Sequence, residues 1–190
     1  MEEIKELVHR IQNGDLDGFK TLYSLYVKRI FNFVYRLTGK REDAEDVTQD
    51  VFLIVYNRIQ ELKEADRFES WIYRIARNEV YQRLRKRRGS ELSINDDETG
   101  MENQLISENL ESDPLESVLQ SELGSEIQKV LTSLPFKIKE VFILAVIEQK
   151  SYEEITRIVG RSLLSVKTDI HRARVIARDK LKKYLGKGKQ

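Results

Sequence analysis

Between Gly89 and Glu126 the chain carries eleven Asp or Glu residues and no Lys or Arg. The stretch "GSELSINDDETGMENQLISENLESDP" is Ser, Asn, Asp and Glu with scattered Leu and Ile, too poor in apolar side chains to continue a packed core. The sequence therefore divides into a lobe over 1–89, a flexible acidic linker over 90–113 and a second lobe over 114–190. The flanks lean the other way in charge. Residues 1–88 hold 18 Lys or Arg against 15 Asp or Glu, and residues 127–190 hold 15 against 6. A formal net charge of +1 thus hides two basic-leaning lobes around an anionic strap. Local charge, not the total, guides the reading of partners.

Both lobes read as helical. Leu22, Tyr26, Ile30, Phe33 or Val34, and Leu37 recur at helical spacing from Asp17 onward, and Gly39 is a stop signal. Val47, Val51, Val55 and Ile59 line one stripe of a second helix, with Phe52 beside it. Its acidic first turn (Glu42, Asp43, Glu45, Asp46) suits a helix N-terminus. A polar connection over Glu61–Arg67 leads to a third helix. In the second lobe periodicity returns from Pro114 through Leu134 and breaks at Pro135. Helices then follow over "FKIKEVFILAVIEQK", about Tyr152–Val159 and about Leu164–Tyr184. No segment alternates with period two for long enough to argue a sheet. The fold class expected is all-α, two small helical domains, the second ending in a helix-turn-helix.

Several functions drop out at this stage. The chain has no cysteine, hence no disulfide framework, thiolate metal site or Cys nucleophile. With only His9 and His171 as imidazoles, a metal centre is not expected, and no cofactor is. There is no P-loop, dinucleotide fingerprint or HExxH, so an enzyme is not expected either. Met1–Ile11 is charged and lacks the apolar core of a secretory signal. No apolar run reaches the roughly 18 residues of a membrane span. A cytoplasmic protein without membrane insertion is the expectation.

Two cationic helix faces remain. At about 100° per residue, Ile72, Ile75, Ala76 and Val80 share one side of the third helix, with Glu79 and Arg83. Arg74, Arg77, Tyr81, Arg85 and Arg88 share the other, with Asn78 at its edge. Arginine forks match phosphates, Asn and Gln can read base edges, and aromatic rings such as Tyr81, Trp71 and Phe68 can stack on unpaired bases. Phe68 and Trp71 read equally well as core. Downstream, Ser151 and Glu154 form a capping-box pattern, Gly160 permits a tight turn, and Ser162 or Ser165 can cap the last helix. On that helix Val166, Ile170, Ala173, Ala177 and Leu181 make an apolar stripe, and Lys167, His171, Arg174, Arg178 and Lys182 a cationic one. Two helices, a glycine-bearing turn and a cationic outer face make a helix-turn-helix.

The segments "REDAEDVTQDVF", "FESWIYRIARNEV" and "LPFKIKEVFILAVIEQKSYEEITRIVG…SVKTDIHRAR" resemble, in order and spacing, the extracytoplasmic-function (ECF) sigma factors of bacterial RNA polymerase. The resemblance runs from about Asp15 to Leu185, apart from the linker. It implies a first domain that binds the polymerase clamp and the minus-ten promoter element and assists strand opening. It implies a second domain that binds the minus-thirty-five element. Core RNA polymerase and promoter DNA are the partners implied, and for many members an anti-sigma factor. By similarity, Asp46, Gln49 and Asp50 match clamp-binding positions. Lys63, Arg67, Phe68, Trp71, Arg74, Arg77, Asn78, Tyr81, Gln82 and Arg85 fall on the minus-ten reader. Ser165, Lys167, Thr168, His171 and Arg172 fall on the minus-thirty-five reader, with Arg174 and Arg178 assigned to phosphate.

Two departures from the pattern stand out: Leu164-Ser165 stands where Gly-Thr is usual, and Asp169 where a basic residue is common. The strap, in this reading, occupies a basic channel of the polymerase as a nucleic-acid mimic, or else is a solubilising spacer. The rival reading of the chain is a stand-alone helix-turn-helix regulator that acts without docking on core polymerase.

Overall fold

The computed structural model describes residues 2–87 and 122–185. The acidic linker and the helix opening at Pro114 lie outside the described residues for the most part. The elements are α1 (Glu2–Gln12), α2 (Leu16–Thr38), α3 (Arg41–Arg58), two 3-10 turns (Ile59–Glu61 and Ala65–Arg67), and α4 (Phe68–Arg87). After the linker come α5 (Glu122–Thr132), α6 (Phe136–Phe142) with a π turn at Ile143–Ile147, α7 (Tyr152–Val159) and α8 (Leu163–Leu185). Among the described residues there are only helices and turns, in two clusters.

Local chemistry sets the helix ends. Asp15 caps α2 by accepting from the Gly18 amide at 2.9 Å. That satisfies one of the amides a helix start leaves unpaired. Gly39 ends α2 at φ +72°, a left-handed cap that returns its N–H to the Tyr35 carbonyl and costs a glycine little. Ser151 and Glu154 close a full capping box on α7. Gly160 follows it at φ +68° and turns the chain toward α8. There the Ser162 hydroxyl oxygen accepts from the Ser165 amide at 3.3 Å, so Ser162 is the residue that caps.

The stripes expected from periodicity are buried. Leu22, Ile30, Phe33, Val34 and Leu37 of α2 meet Val47, Val51 and Val55 of α3 and Ile72, Ala76 and Val80 of α4. Val166, Ile170 and Ala173 of α8 join Ile155 and Ile158 of α7 and Val141 of α6 in the core, and Ala177 is buried further along α8. Burying each of the Val, Leu, Ile and Phe side chains among them stabilises the fold by about 1.5–3 kcal/mol before ordering costs.

One element was not read from the sequence. α1 places Leu7, Val8 and Ile11 in the core, and its end steadies the connection ahead of α4. The Gln12 side-chain amide donates to the carbonyls of Ile59 and Leu62, both at 2.9 Å, and the Gln60 amide returns a bond to the Gln12 carbonyl at 2.7 Å.

The two clusters share one core, joined by a seam of polar side chains. Arg77 of α4 pairs with Glu140 of α6 at 2.8 Å. The Tyr73 hydroxyl donates to Glu148. Lys150 reaches Glu69 at 2.8 Å, and the Lys139 ammonium donates to the Leu37 carbonyl at 3.3 Å.

Candidate nucleic-acid and polymerase interfaces

Asp46, Gln49 and Asp50 are exposed on α3, spaced three and four apart and therefore on one face. The face continues into Leu53 and Tyr56, 61% and 51% exposed. Sequence reading missed these two, although both fall off the Val47–Val51–Val55 stripe and could have been found on that ground. Tyr56 rests edge-on against Phe19 at 5.2 Å, and Tyr23 against Phe52 at 4.7 Å. The result is an acidic-to-apolar strip suited to a protein partner. Arg83, which the wheel put on the core side, clips α4 onto the start of this helix. Its guanidinium pairs with the buried Asp43 at 2.9 Å and with Asp46. Asp43 is thus a structural ion-pair partner in addition to lying in the acidic first turn.

Lys63 and Arg67 are exposed on the connection before α4, and Arg67 pairs with Glu64 at 2.7 Å. Arg74, Asn78, Gln82 and Arg85 are exposed along α4. Tyr81 is 39% exposed. Trp71 is half-buried, tilted against Phe68 at 6.1 Å. Phe68 itself corrects the expectation of a base-stacking ring. It is fully buried, edge-on to Tyr26 at 5.3 Å, because the first position of α4 points back into α2. Arg88 lies outside the described residues.

Part of the cationic face of α4 is covered by the second cluster. Arg77 is held by Glu140 and donates to the Asn78 side chain at 3.1 Å. The Tyr81 ring lies 6.0 Å from that of Phe136. Tyr73 is fully buried, and burial, with Glu148 beside it, pushes its hydroxyl pKa far up. A single wheel could not show this, since α4 buries one arc against its own lobe and a second against the other lobe.

On α8, Lys167, Thr168, His171, Arg172, Arg174 and Arg178 are exposed, and Ser165 is half-buried. Lys167 leans over the Tyr152 ring, 5.8 Å from its centroid. Asp169 points the other way. It is nearly buried and paired with Arg161, whose other nitrogen reaches the Lys137 carbonyl at 2.9 Å and Glu140 at 3.1 Å. Asp169 therefore ties the turn to α6 and adds no carboxylate to the outer face. Glu140, fully buried between Arg77 and Arg161, is the hub of the seam. Lost hydration pushes its carboxyl pKa up, against the pull of the two arginines.

Residues 22–90 match the family model of Sigma-70 region 2, and residues 125–175 match that of Sigma-70, region 4. The ECF RNA polymerase sigma factor SigW of Bacillus subtilis (strain 168) is 31% identical over 182 residues, covering 94% of this chain and 97% of the relative. The chain belongs to the ECF sigma factors. As a sigma factor it is not an enzyme but a factor that binds core RNA polymerase and recognises promoters.

The region 2 match spans most of α2 through α4, and the region 4 match spans α5 into α8, so α1 is outside both. Solved structures share the fold of this sigma factor. CnrH in complex with the cytosolic domain of CnrY superposes with a TM-score of 0.70 at 20% identity, over 95% of this chain and 97% of that one. The sigma factor RpoE from Bartonella quintana, in complex with the anti-sigma factor NepR, gives 0.66 at 24% identity, over 88% and 98%. Among the described residues of the sigma factor, no helix is long and apolar enough to cross a membrane.

Proposed function

We propose that this sigma factor divides its work between three surfaces. The α3 strip of Asp46, Gln49 and Asp50, extended by Leu53 and Tyr56, docks on the polymerase clamp. The connection at Lys63 and Arg67, with Trp71, Arg74, Arg77, Asn78, Tyr81, Gln82 and Arg85 of α4, engages the minus-ten element as it opens. The outer face of α8 enters the major groove of the minus-thirty-five element through Ser165, Lys167, Thr168, His171 and Arg172, while Arg174 and Arg178 grip phosphate. The domain division at 1–89, 90–113 and 114–190 is part of the same reading.

The observation that carries it is the cationic outer face of α8, built on a capped helix-turn-helix with Asp169, the carboxylate among its groove-facing residues, turned inward to Arg161. Exposed arginines supply the sequence-independent grip on phosphate, and the N-terminal residues of a recognition helix reach base edges. Opening a duplex costs a few kcal/mol per unstacked base. A ring such as Trp71 or Tyr81 offsets about 1–3 kcal/mol per base by stacking. Phe68 is left out of this role by its burial. The two structural relatives were solved with the cytosolic domain of CnrY and with NepR, and an anti-sigma factor belongs to the proposal as a further partner.

The test is transcription from a library of promoter fragments by core RNA polymerase mixed with this protein, followed by sequencing of the transcripts. Wild type should give defined start sites. Asp50→Lys should abolish association with core polymerase, and Arg85→Glu should abolish specific starts while leaving that association intact. Equal activity of all three proteins would refute the assignment of surfaces.

A further inference from the structure

Among the described residues Leu164 is the most exposed of the large apolar side chains, at 77%. Such a residue on a surface needs no explanation by itself, but its position does single it out. Ser162 caps α8 by accepting from the Ser165 amide, and its carbonyl accepts from Val166 at 3.0 Å. That fixes Leu164 as the second residue of the helix. Lys167, Thr168 and His171, three, four and seven residues on, then lie on the same outward face. Thr168 spends its hydroxyl proton on the Leu164 carbonyl at 2.9 Å, which leaves it no proton to donate outward, only its γ-methyl and the acceptor side of the oxygen. Lys167 leans toward Tyr152, and Asp169 is turned inward to Arg161. The leading end of the face therefore carries an apolar pair, one leucine and one methyl a single turn apart, in a helix whose remaining outer residues are polar or charged.

Thymine is the base that offers an apolar group, its 5-methyl, in the major groove, and small apolar side chains and threonine methyls are its usual contacts. We propose that Leu164 and the Thr168 γ-methyl form an apolar step that reads thymine methyl groups in the upstream promoter element. The inference rests on the assignment of α8 to the major groove. It makes Leu164, which departs from the usual glycine, a determinant of which sequence is read.

The test uses holoenzyme reconstituted from core polymerase and the full chain, on a promoter recovered from the library. Each thymine of the upstream element is replaced in turn by deoxyuridine, which removes only the methyl. With wild type, one or two positions should lose about three- to fivefold in binding and start-site use, the scale of burying one methyl group. With Leu164→Ala that sensitivity should disappear, and the variant on unmodified DNA should match wild type on the deoxyuridine template. Thr168→Ser, which keeps the hydroxyl and drops the methyl, should act in the same direction.

Three results overturn the proposal. No thymine position is sensitive; or sensitivity is equal in wild type and Leu164→Ala; or Leu164→Ala weakens association with core polymerase while methyl sensitivity persists, which assigns the leucine to a protein contact. Failure of wild type to initiate anywhere refutes the sigma-factor reading and this inference together. Normal initiation without methyl dependence refutes this inference alone.

Discussion

Replacing Lys139 by Met should stabilise this protein. Lys139 sits on α6 at 4% exposure, with its ammonium against the Leu37 carbonyl at 3.3 Å. Lost hydration pushes its pKa down to about 8, from an ordinary 10.5. A shift of that size corresponds to about 3 kcal/mol of penalty for keeping the charged form buried. The sign follows from proton counting. Below pH 8 the lysine is protonated in both folded and unfolded chains, so the full penalty applies. Between about 8 and 10.5 the unfolded chain binds more protons, and stability rises with pH. Above 10.5 the penalty is gone.

Methionine keeps the apolar stem and removes the charge, at the loss of one hydrogen bond of about 1 kcal/mol. The net gain near pH 7 should be about 2 kcal/mol, or roughly 4–8 °C in Tm for a chain of this size. Urea denaturation of both proteins at a series of pH values is the assay. The advantage of Lys139→Met should be largest at and below pH 8 and should shrink as pH rises to 10.5. A variant less stable than wild type at pH 7, with a difference that does not change with pH, would refute the reasoning.

Phe68→Ala should cost about 3–5 kcal/mol of stability, as loss of a buried aromatic does. Trp71→Ala should cost less stability and show instead as weaker strand opening, read by permanganate footprinting of the holoenzyme on its promoter. Ser151→Ala removes the hydroxyl of the α7 capping box and should cost about 1 kcal/mol in urea denaturation. Glu140→Gln leaves Arg77 and Arg161 without their shared carboxylate. It should destabilise by about 3 kcal/mol and loosen the seam, seen as faster hydrogen exchange at α6.

Most of the fold is legible in the sequence, because helix periodicity and capping are local. The α2 end at Gly39, the α3 stripe and the Ser151–Glu154 box are each fixed by residues within a few positions of one another. α1 was missed since Leu7, Val8 and Ile11 sit in a short charged segment whose burial depends on α2 and the connection it touches. The site was harder to read for the same kind of reason. Whether Phe68 is core or platform depends on Tyr26, some forty residues away. Whether Asp169 faces DNA depends on Arg161 across the turn. The arginine stripe of α4 gave no hint that Glu140 would claim Arg77, since that contact joins residues on opposite sides of the linker.

The seam has a mechanical consequence. The 150 or so described residues, packed as one body, have a radius of gyration of about 15 Å. Promoter elements named for positions minus ten and minus thirty-five are about 25 base pairs apart, or ~85 Å of B-form DNA at ~3.4 Å per pair. One closed body cannot touch both ends of that interval. The stretch from 88 to 121 that joins α4 to α5 can reach about 110 Å when drawn out at ~3.3 Å per residue, so the chain has tether enough to bridge it. Straddling a promoter then requires the Arg77–Glu140 pair to part, and whatever holds the halves apart must outbid the contacts that fasten them.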